Sequence, residues 1–208
     1  MDQHIFTDFV YLLVVIDPIG VVPEFIAVTG HQSPEARWRT AIRAVLISAA
    51  ILIAFIIAGQ ILLEALGITL PSFSIAGGLV LLAISLQRIL TTTDIQVEEG
   101  PKSSVGALRD VAVFPLATPH IAGPSAILAV VLLTDNEKFG FFEQAQTALV
   151  MLFVLALTLA VFLVAGTVQR FLGETGADVI GRVSGLVLAA LAVETILDGI
   201  RASFSLPF

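Results

Sequence analysis

Gly78-Leu79-Val80-Leu81-Leu82-Ala83-Ile84-Ser85-Leu86-Gln87-Arg88-Ile89-Leu90 closes one apolar run of this chain, and a second version of it closes another: Gly185-Leu186-Val187-Leu188-Ala189-Ala190-Leu191-Ala192-Val193-Glu194-Thr195-Ile196-Leu197. At a separation of 107 residues, Gly78 to Leu81 fall on Gly185 to Leu188, Ala83 on Ala190, and Ile89-Leu90 on Ile196-Leu197. The same separation, with no gap, sets Phe55, Ala58 and Gly59 on Phe162, Ala165 and Gly166, and one residue less sets Pro18 on Pro124. Apolar residues coincide by chance in any two hydrophobic helices. Glycines, phenylalanines and prolines do so far less, so the chain reads as an internal repeat.

Each copy holds three stretches of the length that a membrane-crossing helix needs, about 20 mainly apolar residues. The first copy has Phe9–Val28, interrupted by Asp17-Pro18-Ile19-Gly20 and Pro23, then Ala44–Leu63 without a charge, then Ile68 to about Leu90. A polar stretch from Thr91 to Asp110 follows. The second copy has Val111–Thr134, containing Pro115, Pro119, Gly123 and Pro124, then Thr147–Val168 and Val183–Ile200. Three is odd, so the second copy enters the bilayer from the opposite side. The expected fold is all-α and polytopic: six transmembrane helices as two inverted three-helix repeats, with helices one and four broken at proline. Residues 1–92 form the first repeat, 93–110 a cytoplasmic linker and 111–208 the second repeat.

Composition agrees. Of 208 residues 57% are hydrophobic and 13% charged, with a mean hydropathy of +1.01, well beyond the apolar share of a soluble domain. The net charge of -7 sits mostly in connecting segments, and no basic face suggests nucleic acid. With no cysteine and only the scattered His4, His31 and His120, disulfides, thiolate catalysis and cysteine-held zinc are excluded and no metal site is expected. The N-terminal residues lack the basic start and small-residue cleavage site of a leader, so none is expected to be removed. Short loops rich in lysine and arginine stay cytoplasmic. Arg37, Arg39, Arg43, Arg88, Lys102, Arg109, Arg170 and Arg182 follow spans one, three and five, against Lys138 and Arg201 on the other side, which places both termini outside.

Interrupted helices at matching positions of two inverted halves point to a secondary transporter with its site near the midplane. Each proline removes a backbone donor, so Asp17-Pro18-Ile19-Gly20 and Gly123-Pro124-Ser125 are expected to unwind and offer backbone groups to a solute; the alternative is a kink satisfied by neighbouring helices. Asp17 is a functional candidate by its depth and equally an N-cap for the half-helix that follows. Glu24 and His120 are expected at similar depth, where they either share a proton or serve as structural polar groups. Glu194 and Asp198 read as a solvated rim with Arg201. Gly181 and Gly185 form a small-xxx-small pair for close helix approach, within one chain or in a homo-oligomer.

Three segments resemble the MarC family of six-span bacterial and archaeal membrane proteins: Asp17-Pro18-Ile19-Gly20-Val21-Val22-Pro23-Glu24-Phe25, Pro115-Leu116-Ala117-Thr118-Pro119-His120-Ile121-Ala122-Gly123-Pro124, and Ile196-Leu197-Asp198-Gly199-Ile200. The resemblance covers nearly the whole chain. It implies a cytoplasmic-membrane protein akin to small neutral amino acid carriers. Glu24, Thr118, His120 and Ser125 stand where that family commonly has apolar residues or glycine, which implies a more polar solute or a different coupling to protons.

The expectation is therefore an inner-membrane secondary transporter of a small polar or zwitterionic solute such as a neutral amino acid, coupled to H+ or Na+, without cofactor. Asp17, Pro18, Gly20, Gly123, Pro124 and Ser125 shape the site, Thr118 hydrogen-bonds the solute, and Glu24 and His120 are coupling candidates. A passive channel and a non-transporting partner- or lipid-binding protein are the rival classes. No nucleophile elbow, zinc-binding helix or cysteine supports an enzyme.

Overall fold

The computed structural model describes residues 3–90 and 112–204, without the side chains at 3, 113–115, 119–120, 168–172, 174–175 and 177–178. The expected linker 93–110 and the side chain of His120 lie outside the described residues. Every described element is helical: α1 (Gln3–Ile16), α2 (Val22–Thr29), α3 (Pro34–Ala65), α4 (Leu70–Leu90), a π-helical segment (Ala112–Ile121), α5 (Pro124–Leu133), α6 (Phe141–Leu163) and α7 (Ala165–Phe204).

Among the described residues, four helices are long and apolar enough to cross a membrane, Pro34–Ala65, Leu70–Leu90, Phe141–Leu163 and Val179–Phe204. The first and fourth expected spans are not continuous helices. Each is divided, into α1 and α2 around residues 17–21, and into the π-helical segment and α5 around Ala122 and Gly123. Pro115 and Pro119 lack amide hydrogens, so the ordinary ladder cannot close there and the backbone widens. Ala122 N–H accordingly reaches back five residues to the Ala117 carbonyl at 2.8 Å.

Two of the other helices, α3 and α7, outrun the apolar stretches that announced them. α3 begins at Pro34 because Ser33 Oγ accepts the Ala36 N–H at 3.3 Å and proline suits the first helical turn. Its 32 residues span about 48 Å, more than the roughly 30 Å of hydrocarbon, and the excess carries Arg37 and Arg39. Gly67, at φ 67°, ends it, with the Ile68 N–H on the Leu63 carbonyl at 2.8 Å in a Schellman closure. α7 starts at Ala165, well before the expected sixth span, and is interrupted at Gly173 (φ 62°, ψ -179°).

The most extensive helix contact joins α4 to α7, and glycine makes it possible. A Cβ at Gly78 would lie 2.6 Å from Ile196 Cγ1 and 3.1 Å from the Ala192 carbonyl oxygen; one at Gly185 would lie 2.9 Å from Ile89 Cγ1 and 3.3 Å from the Ser85 carbonyl oxygen. Gly199 sits equally close to Pro71 and Ile75. Early residues of α4 thus face late residues of α7, so the two helices are antiparallel. The contacts also reciprocate: at the 107-residue separation Gly78, Ser85 and Ile89 are the counterparts of Gly185, Ala192 and Ile196. Each glycine receives the isoleucine of the other copy. At Gly181, by contrast, a Cβ would meet nothing within 4 Å among the described residues, so within the described chain the close approach is made by Gly185 of the expected small-residue pair.

The core lies where α1, α2, α3, α5 and α6 converge, with Leu12, Ile16, Phe25, Leu52, Leu128, Leu155 and Phe162 fully buried. Phe25 and Phe162 stack with ring centroids 4.2 Å apart and planes 4° from parallel. Large apolar side chains such as Leu46, Ile57, Leu149 and Leu186 point outward instead, as hydrocarbon allows. Hydroxyls inside the apolar helices are satisfied by their own backbone: Ser48 donates to the Ala44 carbonyl, Thr158 to Val154 and Thr134 to Val130, at 2.6–2.9 Å.

Replacing Gly78 by leucine should force α4 and α7 apart and lower stability in detergent by about 1–3 kcal/mol. Gly181→Ala should change it by less than about 0.5 kcal/mol. Thermal unfolding of the two variants separates these outcomes, and equal losses would mean that the seam does not depend on its glycines.

Candidate functional site

The break between α1 and α2 is built by Asp17 and Gly20. Pro18 has no amide hydrogen, and Asp17 adopts φ 47°, the left-handed region that few side chains other than Asp and Asn tolerate. The turn is then closed locally. Asp17 donates its N–H to the Leu13 carbonyl at 3.0 Å and accepts the Val21 N–H at 3.2 Å, while its side-chain Oδ1 accepts the Gly20 N–H at 3.1 Å. A Cβ on residue 20 would overlap that carboxylate, so a larger residue there would have to displace the Asp17 side chain. α2 starts one turn later, with Val21 at its cap position and no side-chain cap. Asp17 therefore closes the turn and does not cap α2, the structural alternative its sequence position offered.

The carboxylate does more than close the turn. Its Oδ2 pairs with Arg88 Nη1 from the last turn of α4, and Ser184 Oγ of α7 donates to Oδ1 at 3.4 Å. The Asp17 side chain is 8% exposed and that of Arg88 22%. An ionised carboxylate is costly among apolar helices unless paired and hydrogen-bonded, and its own turn together with two elements distant in sequence, α4 and α7, supply those partners. In the sequence Arg88 counts among the loop charges and Ser184 draws no notice. The available signal was slight: Arg88 is the basic residue within a stretch whose other copy has Thr195 at that place.

Beside Asp17 lies a cavity of about 360 Å³. Leu13 and Val14 of α1, Asp17, Pro18 and Ile19 of the turn, Leu157 and Val161 of α6, and Val183, Ser184 and Val187 of α7 line it. Its polar side chains are Asp17 and Ser184. One side is open, where Ile19, Val183 and Val187 are exposed.

Of the residues singled out from sequence, Asp17 and Pro18 thus line a cavity and Gly20 shapes its carboxylate. At the second break Gly123 is buried and extended (φ -81°, ψ 175°), and Pro124 opens α5 as its first residue. Ser125 is half-buried and Thr118 exposed; neither lines the cavity at Asp17. Glu24 stands in the first turn of α2 with its Oε2 buried. Glu194 and Asp198 are exposed and pair with Arg201 at 3.5 and 3.0 Å, as a solvated rim should. A further polar group sits at the other end of α1, where buried Asp8 accepts Thr147 Oγ1 at 2.6 Å and lies 3.6 Å from His4 Nδ1.

Residues 2–204 match the family described as MarC family integral membrane protein. The chain is 32% identical to the UPF0056 membrane protein MJ1677 of Methanocaldococcus jannaschii over 97% of its own length and 98% of that protein's. It is 34% identical to the UPF0056 membrane protein YhcE of Escherichia coli, covering 96% and 93%, and 31% identical to the UPF0056 inner membrane protein YhgN of Escherichia coli, covering 92% and 93%. No solved structure matches the chain.

Because Asp17 is the more deeply buried partner, the two ends of its ion pair should respond unequally to neutralisation. Arg88→Gln leaves a buried carboxylate uncompensated and should cost about 3 kcal/mol. Asp17→Asn frees an arginine that can reach water, and should cost about 1 kcal/mol. Thermal unfolding in detergent checks the order; the reverse order would show that Arg88 is the charge that cannot be released.

Proposed function

The chain belongs to the MarC family of integral membrane proteins, and from that premise we propose that it is a secondary transporter of the inner membrane, carrying a small polar or zwitterionic solute such as a neutral amino acid by alternating access. The observation that carries this reading is Asp17: a buried carboxylate held in a helix break and facing a cavity. In hydrocarbon such a group is expensive, and its usual reason is a solute or ion path.

The architecture is read as six crossings in two inverted triplets. What supports this is reciprocity of packing. α1 packs on α6 as the π-helical segment packs on α3, and α2 packs on α7 as α5 packs on α4. The exchanged glycine contacts of α4 and α7 follow the same relation. Inverted repeats with broken helices suit a carrier whose halves rock around a central site. The distribution of lysine and arginine supports termini on the outer face, and one relative is named an inner membrane protein.

In this reading Asp17 attracts the cationic part of the solute or a coupling cation, H+ or Na+. The turn at Gly20 and the extended Gly123 ahead of α5 offer further backbone groups, whereas Pro124 and Ser125, expected to unwind, form the first turn of α5; Thr118 belongs to the same path at another stage of the cycle, and Glu24 with His120 are the coupling candidates. No covalent bond is made or broken, and no cofactor takes part. Self-association through exposed apolar helix faces is compatible with it.

Purified protein in liposomes containing labelled alanine, glycine or serine should release label faster when the same unlabelled solute is added outside. Asp17→Asn should reduce that counterflow by about ten-fold or more. Release indifferent to outside solute identifies a pore, and no release across a broad solute panel identifies a protein that binds a partner or lipid.

A further inference from the structure

We propose that Arg88 is a tethered counter-cation, which fills the cation place on Asp17 when no solute is bound and is displaced by an incoming ammonium group or monovalent cation. The inference rests on the transport reading above and assigns that site a specificity-determining residue. Its basis is an asymmetry within the ion pair.

Asp17 is fixed. Its backbone is held in a left-handed turn, and its Oδ1 is engaged by the Gly20 N–H and by Ser184. Only Oδ2 is left for a charge, and Arg88 is on it. Arg88 is not fixed in the same way. It stands in the last turn of α4, two residues before Leu90, on a long stem that can carry its head toward the polar end of the helix. One partner can therefore leave and the other cannot.

The cavity supplies the competitor's position. It reaches Asp17 and Ser184 together, so a cation entering it would gain a carboxylate and a hydroxyl oxygen. The other half of the chain argues against a purely structural role for the pair. Asp17 and Arg88 correspond to Gly123 and Thr195 in the second copy, and Thr195 makes only hydroxyl contacts, to Tyr11 OH at 3.4 Å and the Leu191 carbonyl at 2.9 Å. Neither Gly123 nor Thr195 carries a charge, so the second copy does not repeat the ion pair at those two positions.

The consequence for transport is specific. A carboxylate among apolar helices needs a partner in every state it passes through. Bound solute or ion provides one in the loaded protein, and Arg88 provides one in the empty protein. Arg88 should therefore govern the return of the empty carrier, which net transport requires and solute exchange does not.

The test compares exchange with net efflux of labelled alanine from liposomes, at equal amounts of folded wild type, Arg88→Gln and Arg88→Lys. Arg88→Gln should retain exchange and lose net efflux by about ten-fold or more. Arg88→Lys keeps the charge without the fork and should lower the ratio of net efflux to exchange by about three-fold; it carries the test alone if Arg88→Gln does not fold. Loss of its competitor should also make the site bind cations more tightly. Thermal stabilisation by ethylammonium chloride should appear at lower concentration in Arg88→Gln than in wild type if the cation is solute-borne, and by sodium chloride if it is inorganic. Equal loss of exchange and net efflux would overturn the inference, as would unchanged or weaker response to both salts, even with an active wild type. A wild type inactive in both flux modes would overturn the transport reading and this inference with it.

Discussion

The charge of Asp17 constrains more of this structure than any other single group. It sits between two half-helices in a protein whose surroundings offer little water, and each element that meets it answers its charge: the turn with the Gly20 amide, α7 with Ser184, α4 with Arg88. Because these answers come from both halves of the chain, the carboxylate ties the break in the first helix to the seam between α4 and α7. A group so placed stabilises little by itself, since desolvating both partners offsets most of their attraction. Its effect is on which arrangement of helices is tolerated.

The seam beneath it is governed by shape rather than charge. Where two apolar helices meet in a membrane, burial offers little driving force, because hydrocarbon outside is as favourable as hydrocarbon inside; close packing has to do the work. Gly78 and Gly185 provide the grooves and Ile196 and Ile89 the ridges. The polar side chains that remain inside the helices mostly donate to their own preceding turn, whereas at Asp17 polar groups from separate elements converge beside a cavity.

The sequence by itself determined the helical class, the membrane setting and the positions of both breaks. Those features are local or periodic: about 20 apolar residues in a row need no partner to be recognised, Pro18 and Pro124 remove backbone donors wherever they sit, and the repeat is visible because Gly78 and Gly185 carry the same neighbours. Helix ends were less legible, since Ser33 and Gly67 set them through caps that hydropathy does not report. Only the tertiary structure decided which side chains meet at the broken helix. It brought Arg88 and Ser184 to Asp17 from 71 and 167 residues away, and it gave Asp17 a turn to close instead of a helix to cap. No local pattern encodes such a meeting. It depends on how α4 and α7 cross, which is fixed by the fit of side chains between helices far apart in the chain.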